Sequence, residues 1–553
     1  MLSRRNAIIL SLPILFILAG YLVYPALRTF VLGLRPDLIA SFFSDWRSAN
    51  VRALWNSVFI SVVTVVGSGV TGTALAYSFY RFDFPLKRLL VPLAAIPLAL
   101  PPLVGVLAFL FLYGESGILP RLIQRTLGLS QVPFSFEGLW AVWLVHVYSM
   151  YVYFYLLTSA ALRTLDRSSL EASADLGGAG AYTFRRVVIP HLRPSLVGAS
   201  ILVFMISMAS FTAPLLFAGT EHFMTLQIYN YKLNGDLAMS ATVSTVLTLI
   251  CLLFLALLEF SNARTGARPV QKGLSPPPRI VASGWIRIAA AILSLAFVLF
   301  LVLPIATIVL ISFAKEGSWT YQLLPQAYTI QNYLLLFIDP DVLDPVLNSL
   351  SMATIATAGN LVFGLVASLL IVHRQMPFRY LVRLLTALPF AIPGTVIAIN
   401  LIVAFNQPGP LTLGVVLVGS FWILPLAYFI RQIPLIVRAT VSSLERYDER
   451  LSEASADLGA GSLHTLRRIV LPIIGQGVLA GALLTFVTAL GEFVSSIMLY
   501  VFDNRPISVE ILAQLRLYDF GAAAAYSVFL MILIGLAATL VRRLGGEAAS
   551  AAI

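Results

Sequence analysis

The residues with the most chemical content in this chain form one polar segment written twice. Glu171, Ala172, Ser173, Ala174, Asp175, Leu176 and Gly177 recur unchanged as Glu453, Ala454, Ser455, Ala456, Asp457, Leu458 and Gly459, an offset of 282 (453 − 171). Nine residues after each glycine comes an apolar-x-apolar-Pro ending, at 187–190 and 469–472, preceded directly by Arg185 and Arg186 or by Arg467 and Arg468. A carboxylate beside three small residues is not a reaction centre. It offers a charge and a face on which another backbone can approach closely, which is recognition chemistry. Ser168-x-x-Glu171 reads as a capping box and Gly177-Gly178 as a left-handed helix stop; the second copy lacks the serine, and Asp448 is expected to cap there. Lipid alone would reward the arginines by about 1 kcal/mol each but not the acids, so a protein groove is the better fit.

Glu492 is the other chemically pointed residue, a carboxylate in an apolar stretch where a charged side chain costs roughly 2.5–3.5 kcal/mol. Its counterpart in the first copy is Ser210. Two readings stay open: Glu492 and Ser210 line a translocation pathway, or the carboxyl is paired to a neighbouring helix, for instance through Arg431. Arg431 by itself reads as a side chain snorkelling toward the membrane surface, and His146 as a satisfied core residue. The single cysteine, Cys251, excludes a disulfide framework. The apolar segments hold few carboxylates, so no metal site is expected. There is no Gly-x4-Gly-Lys-Ser/Thr loop, and the glycine-rich stretch 177–180 lacks the lysine, so the chain is expected to bind no nucleotide cofactor and to be no enzyme.

These groups must be held by membrane helices. With 59% hydrophobic and 11% charged residues over 553 positions, the chain is an all-α polytopic membrane protein in contact with the lipid bilayer. Twelve spans are predicted, at about 7–30, 55–79, 89–113, 139–161, 196–219, 238–260, 288–313, 347–372, 384–406, 414–437, 476–500 and 523–541. Lys and Arg gather in alternate connections, which places both termini and both repeated segments in the cytoplasm. The net charge of +11 then reflects topology, and no basic tract interleaved with aromatics suggests nucleic acid.

The repeat extends beyond the two segments. Asn56-Ser57 matches Asn348-Ser349, and Pro97 and Pro101 match Pro389 and Pro393, at an offset of 292 (348 − 56). The loss of ten positions of offset points to a longer loop near 114–138 in the first half. Six helices per half make two parallel repeats: 1–260 with its polar loop near 163–195, a cytoplasmic linker at 261–287 stiffened by Pro276, Pro277 and Pro278, and 288–553 with its loop near 438–475. Pro97, Pro101, Pro389 and Pro393 are expected to kink the third and ninth spans.

The spacing Glu-Ala-Ser-x3-Gly-x9-Val/Ile-x-Ile/Leu-Pro resembles the EAA loop of membrane subunits in bacterial ABC importers, with serine in place of the second alanine. The fused layout and the stretch 490–496, Leu-Gly-Glu-Phe-Val-Ser-Ser, are similar to ferric-iron permeases and their thiamine and polyamine relatives. The resemblance implies a type I importer permease in the bacterial inner membrane. Each loop would seat in one of two ABC ATPase subunits, which bind the ATP and Mg, with Glu171 and Glu453 meeting basic groups there. It also implies an extracytoplasmic substrate-binding protein. Ferric iron is the expected cargo, with thiamine, polyamine or an organophosphonate as alternatives. A secondary transporter of two parallel six-helix halves has the same symmetry, but the segment 80–88 lacks the Gly-x3-Asp-Arg pattern of its commonest family.

Overall fold

A computed structural model describes residues 4–178, 180–265, 284–320, 322–373, 376 and 378–550. Those residues are helical almost throughout, with an isolated bridge between Ala314 and Tyr328 and no strand among them. Eleven helices are long and apolar enough to cross a membrane: Ile8–Gly33, Ala49–Arg81, Pro102–Leu127, Leu139–Arg163, Gly180–Met208, Leu237–Leu257, Arg287–Ile311, Pro340–Val372, Ile423–Glu445, Ser462–Leu490 and Phe520–Leu540. A bent pair, Arg379–Ala391 and Gly394–Phe405, raises the number to twelve when taken as one span. In chain order these are spans 1 to 12, the bent pair being span 9. Helix is forced here because a bilayer offers nothing to an unpaired N–H or C=O. Most of the linker expected at 261–287, including its three prolines, lies outside the described residues.

Several expected boundaries move, each for a local reason. The run 414–421 is apolar but not helical: Gly414 and Gly419 take φ of +80° and +84°, and span 10 begins only at Ile423. Spans 5 and 11 end early, at Met208 and Leu490, and short helices Thr212–Phe217 and Val494–Leu499 follow the breaks. The proline pairs act unequally. Pro97 opens a short helix and Pro389 sits inside one, whereas the chain breaks into extended backbone around Pro101 and Pro393. Span 9 turns by 110° at that break.

Broken helices in a membrane must have their freed carbonyls satisfied. Ahead of Pro101, Tyr151 donates to the carbonyl of Ala94 and Tyr155 to that of Val91 at 3.3 Å. Tyr148 donates to the Leu301 carbonyl at 2.9 Å. The tyrosine-rich stretch of span 4 is therefore packing and hydrogen-bond repair, and Tyr148 ties the first half to span 7. Span 1 makes the reciprocal tie, with Tyr21 donating to the Leu411 carbonyl at 2.7 Å. The first span of each half thus packs on the other half. One apolar core runs through both, containing Ile14, Phe211, Phe493 and Ile534.

The repeat survives bond for bond. Ser57 Oγ accepts the Met224 N–H at 3.0 Å, and Ser349 Oγ accepts the Ile507 N–H at 2.8 Å. Asn56 donates to the His222 carbonyl at 3.1 Å and Asn348 to the Arg505 carbonyl at 3.2 Å. Each Asn-Ser pair fixes where the chain re-enters the bundle after the break that ends span 5 or span 11.

Candidate functional site

Both repeated segments fold into the same helical hairpin. The first has a helix Arg167–Asp175, a short turn of helix Gly180–Thr183 and a π-helical turn Phe184–Val188 leading into span 5. The second has Arg450–Asp457, Ser462–Thr465 and Leu466–Val470 leading into span 11. The π turns have a sequence cause. Pro190 and Pro472 cannot donate to the carbonyls four residues back, and widening the helix by one residue accommodates the fault.

The first helices stop identically. The Gly178 N–H reaches the Ser173 carbonyl at 2.8 Å and the Gly177 N–H reaches that of Ala174 at 2.9 Å; the second copy repeats this with Ala460 to Ser455 at 3.0 Å and Gly459 to Ala456 at 2.9 Å. Gly177 and Gly459 have φ of +75° and +82°, the left-handed conformation that this Schellman ending requires. At the other end the cap differs from the expected box. The cap residue is Asp166 and not Ser168: its carboxylate accepts the Ser168 N–H at 3.0 Å, and the Ser168 hydroxyl donates to the same carboxylate at 2.8 Å. Those two donors hold the Asp166 carboxyl below the usual carboxylate range. Asp448 does the same in the second copy, accepting the Arg450 N–H at 3.0 Å.

The serine that departs from the second alanine of the EAA pattern has a structural use. Ser173 Oγ lies 2.8 Å from Thr183 Oγ1, and Ser455 Oγ lies 2.8 Å from Thr465 Oγ1. Both serines are buried, and each bond clasps the two arms of its hairpin. The threonines match at the same offset of 282 (465 − 183), a signal the sequence carried and the motif reading passed over. Around the clasp, Glu171, Ala172, Glu453 and Ala454 are exposed, as are Arg185, Arg186, Arg467 and Arg468. Leu176 and Leu458 project with 89% and 88% of their surface free, an apolar tip on an otherwise polar knob.

Glu492 lies in the break after span 11, 5% exposed. Its Oε1 accepts from Arg431 Nη1 at 2.9 Å and from the Ser495 N–H at 3.0 Å, capping the helix Val494–Leu499. Arg431 therefore does not snorkel; it turns inward to neutralise the carboxylate. Gly394, just past the bend of span 9, leaves the room: a Cβ there would stand 1.7 Å from Arg431 Nη1. The first half builds the same corner without charge. Ser210 Oγ lies 2.8 Å from His146 Nε2, and His146 Nδ1 lies 3.1 Å from Ser207 Oγ. Thr225 donates to the Ser210 carbonyl at 2.7 Å as Ser508 donates to that of Glu492 at 2.8 Å. Phe211 and Phe493, the residues after these two, meet with ring centroids 6.1 Å apart. The two breaks face each other where the halves join. A second buried pair, Arg505 Nε to Glu510 Oε2 at 2.6 Å, stands where the first half has His222 and Gln227, 3.2 Å apart. Among the described residues no group of three or more His, Cys, Asp or Glu is placed to hold a metal ion.

The comparisons with known proteins agree with this geometry. Residues 68–267 and 360–546 each match the family of binding-protein-dependent transport system inner membrane components. The chain is 28% identical over 492 residues to "Probable ABC transporter permease protein y4fN" of Sinorhizobium fredii, covering 88% of this chain and 86% of that one. It is 25% identical over 535 residues to the ferric transport system permease protein FbpB of Actinobacillus pleuropneumoniae, 95% of this chain and 76% of that one. A stretch of 43% of it is 32% identical over 252 residues to the spermidine/putrescine transport system permease protein PotB of Escherichia coli, covering 90% of the latter. The single-length relative aligns with about one half and the double-length relatives with the whole, as a fused permease requires. With its family domain present twice, the chain belongs to the binding-protein-dependent transport system inner membrane components and is an ABC importer permease.

Proposed function

We propose that this permease carries ferric iron from an extracytoplasmic binding protein into the cytoplasm, driven by two ABC ATPase subunits that grip its two hairpins. The observation that carries the mechanical part is the pair of capped hairpins, alike in their aspartate caps, their Ser–Thr clasps and their left-handed stops, and each ending in an exposed leucine. Packing inside the bundle gives no reason for two exposed polar knobs to match so closely. Two matched grips give one, since a pair of identical ATPase subunits would need the same surface twice. In this reading Glu171 and Glu453 meet basic groups on the ATPases, and Leu176 and Leu458 enter an apolar pocket. The hairpins and both termini lie on the cytoplasmic side. ATP and Mg are held by the ATPases, so the chain's own part is to move as a lever and to open a path.

Closure of the ATPases can drive that path only if they bind one state of the permease more tightly than the other. The breaks at Pro101, Pro393, Ala209–Phe211 and Gly491–Phe493 interrupt the helices in both halves, and there the path would open and shut. Glu492 and Ser210 then stand beside the path as parts of its wall. Iron is favoured as cargo because relatives named for ferric transport align over nearly the whole chain. The alternatives are a polyamine, thiamine or an organophosphonate. The test is uptake by proteoliposomes holding this chain, its ATPase and its binding protein. ATP-dependent entry of ferric iron is expected, and ATP-dependent entry of spermidine with no iron uptake would replace the cargo assignment.

A further inference from the structure

Span 10 has one face that packing leaves open: Arg431, Leu435, Arg438, Ser442 and Glu445 are half-buried or exposed, while the residues between them on the other faces are largely buried. Their spacing of four, three, four and three residues is a single helical stripe. Two guanidinium groups and a carboxylate do not face hydrocarbon; charged side chains in a span turn to the bundle interior or to a water-filled cavity. Span 9 runs beside this stripe and contacts it three times, twice from its first segment and once from Gly394 at the start of its second. Arg383 pairs with Glu445 at 3.4 Å, the Arg438 guanidinium lies 4.7 Å over the Phe390 ring, and Gly394 abuts Arg431. Phe390 in turn belongs to the small apolar cluster of Met205, Leu255 and Ala391, where spans 5 and 6 of one half meet span 9 of the other. The stripe therefore opens beside the seam between the halves.

The charges along it do not cancel. Arg431 is matched by Glu492 and Glu445 by Arg383. Arg438 has no carboxylate within ion-pair distance among the described residues; its partner is an aromatic face. The counterparts of Arg431 and Arg438 in the first half are Ser149 and Leu156, so that half supplies no compensating acid at these positions. Glu510, the other buried acid near the breaks, is taken by Arg505. A wall built for a free cation or a polyamine would show the opposite sign, with acids left over.

We infer that Arg438 is a binding residue for an anion in the translocation path, and that the cargo crosses as an anionic species with carboxylate or phosphonate oxygens. Resting on the import reading above, this means that iron passes as a negatively charged chelate or that the cargo is itself a small oxyanion. Arg suits the task because its planar fork takes a two-oxygen anion in paired hydrogen bonds while the ring of Phe390 holds the guanidinium flat. A positive charge with no carboxylate partner also allows the anion to leave again, as conduction requires.

The experiment uses proteoliposomes containing this chain with its ATPase and binding protein. Three probes are offered: radio-iron(III) as its carbon-labelled citrate chelate, labelled methylphosphonate, and labelled spermidine. ATP-driven uptake of at least one anion and none of spermidine is expected. Iron and citrate entering in fixed ratio identify the chelate as the source of the charge, and methylphosphonate entering alone identifies a free oxyanion. Arg438→Gln should lower the maximal rate for the transported anion at least tenfold, and Arg438→Lys, which keeps the charge, should retain a third or more. Spermidine uptake, or wild-type anion uptake by Arg438→Gln, overturns the inference and leaves ATP-driven import standing. A complex that hydrolyses ATP yet carries neither anion overturns it too. Anion entry that proceeds without ATP overturns the import reading instead.

Discussion

The Arg431–Glu492 pair gives the sharpest quantitative handle on the join between the halves. Glu492→Gln keeps an oxygen to accept the Ser495 N–H, so the cap of Val494–Leu499 is retained and only the charge is lost. Two unit charges at about 4 Å attract by about 4 kcal/mol at an effective dielectric constant near 20. Removing one member of a fully buried pair typically costs about 3–5 kcal/mol, because the other is stranded. Arg431 keeps 29% of its side chain exposed while Glu492 keeps 4%, so water recovers part of that loss and about 2 kcal/mol is the working figure. That is roughly a 30-fold shift in the unfolding equilibrium. In a reversible detergent-denaturation titration Glu492→Gln and Arg431→Gln should each lose about that much. The double variant should lose well under the sum, giving a coupling energy of about 1–2 kcal/mol in the cycle. Additive losses, or a Glu492→Gln protein within about 0.5 kcal/mol of the parent, would refute the claim that the pair is desolvated and mutually dependent.

Other outcomes follow from single contacts. Tyr151→Phe removes the donor to the Ala94 carbonyl and should cost about 1–3 kcal/mol of unfolding free energy, read by the same titration, whereas Tyr153→Phe, whose hydroxyl makes no hydrogen bond among the described residues, should cost little. Gly459→Ala forces a side chain into a φ of +82° and should loosen the second hairpin by about 1 kcal/mol, visible as faster hydrogen exchange at the Gly459 and Ala460 amides. Ser455→Ala breaks the clasp to Thr465 at a cost of about 1 kcal/mol, seen as about fivefold faster exchange in that hairpin with transport retained.

How much of this was legible beforehand depends on which physical signal each feature carries. The hairpins were legible because identical polar residues stand out against an apolar background, and the left-handed stop was readable from Gly177 and Gly459. The first cap falls two residues before the serine that the sequence favours, since Ser168 and Asp166 are both good caps and only the backbone decides between them. The twelve-span pattern came from hydropathy, which registers apolar length but not backbone continuity. It ran span 10 back to residue 414, over Gly414 and Gly419, and carried span 11 through the break at Gly491. It also leaves Arg431 as a snorkelling residue and its pairing with Glu492 as one of two open readings, because hydropathy has no term for a partner 61 positions away (492 − 431). Gly394 could not be flagged from sequence: its small size matters only because Arg431 occupies the space a Cβ would need. Arg438 was invisible for a related reason. Its interest lies in the absence of a nearby acid, a property of the packed bundle.

The grip of the ATPases on the hairpins is open to a direct chemical measurement. Cys251 is the single cysteine and is 1% exposed, so a thiol introduced elsewhere can be followed against a silent background. Leu176→Cys and Leu458→Cys place one at each apolar tip. In the isolated chain both should react quickly with a membrane-impermeant maleimide, and only from the cytoplasmic side. In the assembled complex both should be protected at least tenfold. Equal reactivity with and without the ATPase subunits, or labelling from the opposite side of the membrane, would contradict the account.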